Sequence, residues 1–127
     1  MEIVPGIHEV DGVNGNSYII NHNGLTVIDT GIPGSGKTIL SYIRNTLHLE
    51  PSAITTVIIT HFHTDHIGGI PALKNAVPGL KVAAHVSDAG YISGQQPLPQ
   101  FGGIRGLFLN LFITLRPTIV PVDIILK

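Results

Sequence analysis

The sequence contains no cysteine, which excludes a disulfide framework, a thiolate metal site and a cysteine nucleophile. Charge is scarce too. Asp, Glu, Lys and Arg make up 12% of the 127 residues, against roughly a quarter in an average soluble domain. The net charge of −1 with histidine neutral lacks the basic footprint of a nucleic-acid binder. No apolar run approaches the roughly 20 residues that span a bilayer. The first residues show neither the basic region nor the apolar region of a secretory signal, so a cytoplasmic protein is expected. Internal repeats, charge blocks and low-complexity tracts are also missing. The length allows one domain with a modest core. With a mean hydropathy of +0.37, its polar residues are too few to cover a small free-standing globule. Part of the surface is therefore expected to meet another chain or a further half.

What is present is concentrated in Thr60-His61-Phe62-His63-Thr64-Asp65-His66-Ile67-Gly68-Gly69. Three of the seven histidines lie in this stretch. It follows the apolar run Val57-Ile58-Ile59 and precedes a segment of helical periodicity, which places it in the loop past a buried strand. Side chains two apart in extended backbone turn the same way, so His61 and His63 can serve one metal. Asp65 and His66 fall at the start of the next helix and approach from another angle, a carboxylate and an imidazole left for a second ion. Imidazole with carboxylate suits zinc, and iron or manganese are compatible. Two ions about 3.5–4 Å apart can clamp both sides of a displacement, which is a hydrolase design. A helix end capped by Thr64 or Asp65 requires one such residue rather than four.

These residues match the His-x-His-x-Asp-His signature of the metallo-β-lactamase-fold hydrolases, and the chain resembles that family from end to end. Asn16-Ser17-Tyr18-Ile19-Ile20 is similar to the family's early strand, and Val27-Ile28-Asp29-Thr30-Gly31 to its second motif. The resemblance implies that His61 and His63 bind a first zinc, and Asp65 and His66 a second. It further implies that Asp65 orients the attacking hydroxide and that Asp29 supports the ligand loop from behind. Family members are longer, and a second half carries a further His, a bridging Asp and a last His. This sequence stops at Ile124-Ile125-Leu126-Lys127, inside an expected strand and before the third ligand motif. Residues 1–127 are accordingly expected to form the N-terminal half of such a domain. The implied fold is α/β, half of an αββα sandwich, a mixed sheet with helices on one face. A homodimer could cover the bare sheet face, or form through a helix expected at 104–115.

The remaining elements follow from pattern. Residues 2–10 read as an edge strand bent at Pro5-Gly6, and Asn23-Gly24 as a hairpin turn in an antiparallel meander. A helix is expected over 37–48, with Ser35 as a plausible cap. A second, through Ile67, Ile70, Leu73, Ala76 and Val77, ends at Pro78-Gly79. Lys81 to Ala84 form a strand that ends at His85, and Ser87 or Asp88 caps a short helix. A loop covers 93–103. Residues 104–115 are the most apolar segment, a core helix or a lid over an apolar substrate, with Ile104 and Leu107 on its packed face. A final strand spans 119–126. His8, His22 and His48 have no ligand-type neighbours and read as structural or exposed, and His85 as a pocket-wall or structural residue.

The function these readings favour is metal-dependent hydrolysis of an ester, thioester or lactone carbonyl. Gly31-Ile32-Pro33-Gly34-Ser35-Gly36-Lys37-Thr38 supplies a rival, because it fits the phosphate-cradling pattern G-x-x-x-x-G-K-[ST]. Against it stand Asp29 beside the phosphates and Pro33, which removes an amide donor. A metal-binding half-domain without catalysis is the third reading.

Overall fold

The computed structural model describes residues 1–98, 102–107 and 118–127. They form one seven-stranded sheet in which the strands lie in chain order. Strands β1 (Glu2–Val4), β2 (Ile7–Glu9), β3 (Tyr18–Asn21) and β4 (Leu25–Ile28) make an antiparallel meander. Strands β5 (Ile54–Ile59), β6 (Lys81–His85) and β7 (Ile124–Leu126) then add in parallel from β4 outward. Helix α1 (Ser35–Asn45) connects β4 to β5, helices α2 (Thr64–Ile67) and α3 (Ile70–Ala76) connect β5 to β6, and α4 (Val86–Ile92) follows β6.

The expected mixed sheet with helices on one face is what forms, and period-two alternation is the cause. Ile19, Val27, Val57 and Val82 stand in register across β3 to β6 and are fully buried. Ile39 and Ile43 of α1, Ile70 and Leu73 of α3, and Ile92 of α4 pack on them in a single core. Burying each such side chain stabilises the fold by about 1.5–3 kcal/mol relative to exposure. The opposite face carries Tyr18, Ile28 and Ile58 in register, and these are only half-buried.

Four local expectations are corrected. The bent edge strand is two strands folded back at Pro5-Gly6, with Gly6 at φ 80°. The helix expected through Ile67 and Ile70 is broken between α2 and α3. Gly68 there lies so close to a neighbouring loop that an added Cβ would sit 2.1 Å from the Pro33 nitrogen, and its amide donates to Gly31 O at 2.9 Å. Helix α1 is entered through Gly34 at φ 97°, with no side-chain cap, rather than through Ser35. The last strand pairs only from Ile124, because Pro121 has no N–H to give and Asp123 pairs with Val82 through both its carboxylate and its amide, each at 2.8 Å. The helix expected at 104–115 lies largely outside the described residues. Residues 103–107 are helical, and Ile104 and Leu107, expected on its packed face, are 80% and 67% exposed. Among the described residues no helix is long and apolar enough to cross a membrane.

Candidate metal centre

Because β4, β5 and β6 run parallel, their carboxyl ends share one edge of the sheet, where open α/β sheets bind ligands. The loop after β5, the middle strand of the three, carries the donors. One donor atom from each of His61, His63 and Asp65 lies within 4.8 Å of the others. The His66 ring lies against that of His61, tilted by 48° with centroids 3.8 Å apart, and its Nε2 lies 3.4 Å from Asp65 Oδ2. The four residues singled out in the sequence are thus brought together. The spacing paired His61 with His63 and Asp65 with His66, whereas in the structure Asp65 reaches both pairs.

Asp29 organises the rear of this patch. It follows β4, is 7% exposed and is held at φ 55°. Its Oδ1 accepts the Thr60 N–H at 2.8 Å. Its Oδ2 accepts the Thr60 hydroxyl at 2.6 Å and the His66 Nδ1–H at 2.9 Å. With its proton given to Asp29, the Thr60 oxygen is free to accept from His61 Nδ1, 3.0 Å away. One carboxylate therefore fixes the tautomers of two histidines, directly for His66 and through Thr60 for His61, and leaves both Nε2 lone pairs facing forward. The His66 Nε2 lone pair then faces Asp65 Oδ2 at 3.4 Å, two acceptors placed where a cation could be held between them. Desolvation by burial holds His61 below the ordinary imidazole pKa, reinforced by His66 and His63 and opposed by Asp29 and Asp65. The neutral ring it favours is the form that ligates. Neutral imidazoles beside a carboxylate are a donor set that fits zinc. Thr60 is a site residue that the sequence reading missed. Its signal was a hydroxyl placed immediately before the first histidine.

The other candidates resolve differently. In the stretch Gly31 to Thr38, the Ser35 amide donates to Ile32 O at 3.0 Å and the Lys37 amide to Gly34 O at 3.4 Å, so these N–H groups serve the turn. A Cβ on Gly36 would lie 2.5 Å from Gly69 O, which ties that glycine to close packing of α1 against the ligand segment. His8 is buried with Nδ1 3.2 Å from the Tyr42 hydroxyl. Burial first, then Asp11 and Glu2, push that phenol above its ordinary pKa, so it keeps its proton. His22 and His48 are exposed. His85 is the N-cap of α4, its Nδ1 accepting the Ser87 N–H at 3.1 Å. The expected caps Ser87 and Asp88 lie inside the helix instead.

Residues 10–123 match the family model of the metallo-beta-lactamase superfamily. The chain belongs to that superfamily. It is 33% identical over 70 residues to hydroxyacylglutathione hydrolase of Stenotrophomonas maltophilia, an alignment covering 55% of this chain and 25% of the relative. It is 28% identical over 106 residues to atrochrysone carboxyl ACP thioesterase of Aspergillus terreus, covering 76% of this chain and 32% of the relative. A metallo-beta-lactamase from Cronobacter sakazakii with a mutated HARLDQ motif superposes at a TM-score of 0.79 and 26% identity, covering 100% of this chain and 46% of that one. The chain thus spans a quarter to a third of these curated relatives. The half-sandwich is the corresponding part of the superfamily fold.

Proposed function

We propose that this chain carries the ligand loop of a metal-dependent hydrolase acting on an ester, thioester or lactone carbonyl. The observation that carries this reading is the convergence of His61, His63 and Asp65, with donor atoms within 4.8 Å of one another, beside His66 at the ends of parallel strands. Zinc, as one ion or two, is the metal the donors favour. Bound there it supplies Lewis acidity and a water that ionises at a pH of about 7. His61, His63 and His66 would hold it through ring nitrogens whose tautomers Asp29 and Thr60 maintain. Asp65 is half exposed, with side-chain accessibility of 51%. It would orient the nucleophile and take up a proton at Oδ2.

The substrate class draws on three further observations. A net charge of −1 offers no field for a polyanionic nucleic acid. Ile104 and Leu107 present apolar surface. The relatives are named as a hydroxyacylglutathione hydrolase and a thioesterase. The test is the zinc-to-chain ratio by elemental analysis, with hydrolysis of a thioester, a lactone and a simple ester followed on the same preparation. His61→Ala with His63→Ala should bring zinc to background and abolish turnover, and zinc retained by that double variant refutes the reading. A second reading is a metal-holding half without turnover, supported by a donor group that, among the described residues, comprises His61, His63 and Asp65. Stoichiometric zinc with no hydrolysis across the panel decides for it.

A further inference from the structure

The ligand loop is also gripped from the side opposite Asp29. Asp88, in the first turn of α4, accepts the backbone N–H of Phe62 through Oδ1 at 3.3 Å, across a sequence separation of 26. Phe62 stands between the two loop histidines. One turn further along α4, the Tyr91 ring lies 4.7 Å from the Phe62 ring. Phe62 in turn meets the His63 ring edge-on at 4.9 Å. Helix α4 is itself anchored by the His85 cap and by Ala89 and Ile92 in the core.

We propose that Asp88 and Tyr91 are positioning residues that set the directions of His61 and His63, and with them the metal affinity of the site. The proposal rests on the metal-centre reading above. Residues 61–63 belong to no helix or strand. The His63 carbonyl is tied to α2 through the His66 and Ile67 amides, whereas the Phe62 amide is held by the Asp88 carboxylate rather than by a backbone ladder. Side chains alternate in extended backbone, so holding Phe62 by its amide and its ring fixes the roll of the segment and hence the aim of both imidazoles. Metal–ligand distances tolerate only about 0.2 Å, and a loop free to roll loses affinity with every ligand still present. An acidic residue in a first helical turn is favourable for the helix dipole alone. The dipole does not account for a carboxylate oxygen aimed at the amide of a distant loop.

The experiment uses cobalt(II) as the probe on the full chain, reading affinity and the d–d absorption spectrum, with circular dichroism to certify the fold. Asp88→Ala removes the acceptor and Asp88→Asn keeps one. Tyr91→Leu removes the ring and Tyr91→Phe keeps it. Asp88→Ala and Tyr91→Leu should each weaken cobalt binding about tenfold and alter the spectrum, the scale on which partners behind metal ligands act, while the two conservative variants stay within about threefold of wild type. If Asp88 and Tyr91 only stabilise the fold, their removal lowers the melting temperature and leaves cobalt affinity and spectrum unchanged, which overturns the proposal. Should Asp88→Ala fail to fold, amide exchange in the wild type decides. A protected Phe62 N–H supports the grip, and exchange at the rate of an open loop overturns it. His61→Ala separates the two levels of the argument. Cobalt binding that is equally weak in wild type and His61→Ala sinks the metal centre and the positioning role together. Cobalt lost in His61→Ala but undiminished in Asp88→Ala and Tyr91→Leu sinks the positioning role alone.

Discussion

Asp29→Ala removes an acceptor that receives the Thr60 amide at 2.8 Å, the Thr60 hydroxyl at 2.6 Å and His66 Nδ1–H at 2.9 Å. Hydrogen bonds to a charged group are worth about 1.5–3 kcal/mol each, but water can reach the exposed side of Thr60, so the sum is not realised. Leaving buried donors without their acceptor sets the scale, about 1–3 kcal/mol for each that water does not reach, or about 3 kcal/mol of stability in all. Two companion substitutions separate the causes. Asp29→Gly loses the same hydrogen bonds but relieves a backbone held at φ 55°, so it should be less destabilised than Asp29→Ala by about 1 kcal/mol. Asp29→Asn keeps an oxygen for the Thr60 amide and turns an NH2 toward His66. The imidazole must then place its proton on Nε2, against Asp65. That variant should lose only about 1–2 kcal/mol yet bind zinc weakly. Urea denaturation of metal-free protein measures the three stabilities, and 15N NMR of the histidine rings reads the tautomers. An Asp29→Ala protein within about 0.5 kcal/mol of wild type, a change expected of an ordinary surface substitution, refutes the reasoning. So does an unchanged His66 tautomer in Asp29→Asn.

Acid should weaken the fold through His61, whose pKa is lowered by burial and by its histidine neighbours. Above the unfolded value of about 6.5 its contribution is fully present, and it is lost as pH falls from there toward the folded pKa, because the unfolded chain binds a proton the folded chain refuses; urea midpoints measured against pH should flatten in that window in His61→Gln. Gly68→Ala, with its Cβ 2.1 Å from the Pro33 nitrogen, should cost about 3 kcal/mol or more by thermal melting. Gly79→Ala meets nothing within 4 Å and should be neutral or stabilising by about 0.4–1 kcal/mol. Zinc at about 100 times its Kd should raise stability by about 2.7 kcal/mol, a gain that EDTA abolishes and that His63→Ala never shows.

The candidate donors are legible in the sequence because they occupy one contiguous stretch, and spacing alone brings His61, His63, Asp65 and His66 to a single strand end. The alternating strands are legible for the same reason, since Ile19, Val27 and Val57 sit in local patterns that need no tertiary information. The supports are not legible. Thr60 meets Asp29 across 31 residues and Phe62 meets Asp88 across 26, and only the sheet order brings either pair together. The break at Gly68 has the same origin, because helical periodicity continues through it and the obstruction comes from Pro33. The sequence Gly31 to Thr38 misleads in the opposite direction. Its glycines suit a phosphate loop, yet one of them, Gly36, is required where α1 packs against Gly69. His85 reads in the sequence as a pocket-wall or structural residue, and the structural alternative is the one seen, though the cap it makes with the Ser87 amide is not legible from the strand end alone.

The parallel run β4–β5–β6 explains why the donors and their supports come from these segments. Each strand delivers the residues after it to the same edge, and neighbouring strands lie about 4.8 Å apart, so the loop after β5 is within side-chain reach of the segments after β4 and β6. The segment after β4 contributes Asp29, which controls the protons on His61 and His66. The segment after β6 contributes Asp88 and Tyr91, which hold the backbone and ring of Phe62. One neighbour thus governs the tautomers of the imidazoles and the other their direction, and neither contributes to the cluster of His61, His63 and Asp65. The antiparallel strands β1 to β3 supply none of these groups. Their part is to bury β4 inside the sheet, so that Asp29 starts from a strand paired on both sides rather than from an edge free to shift.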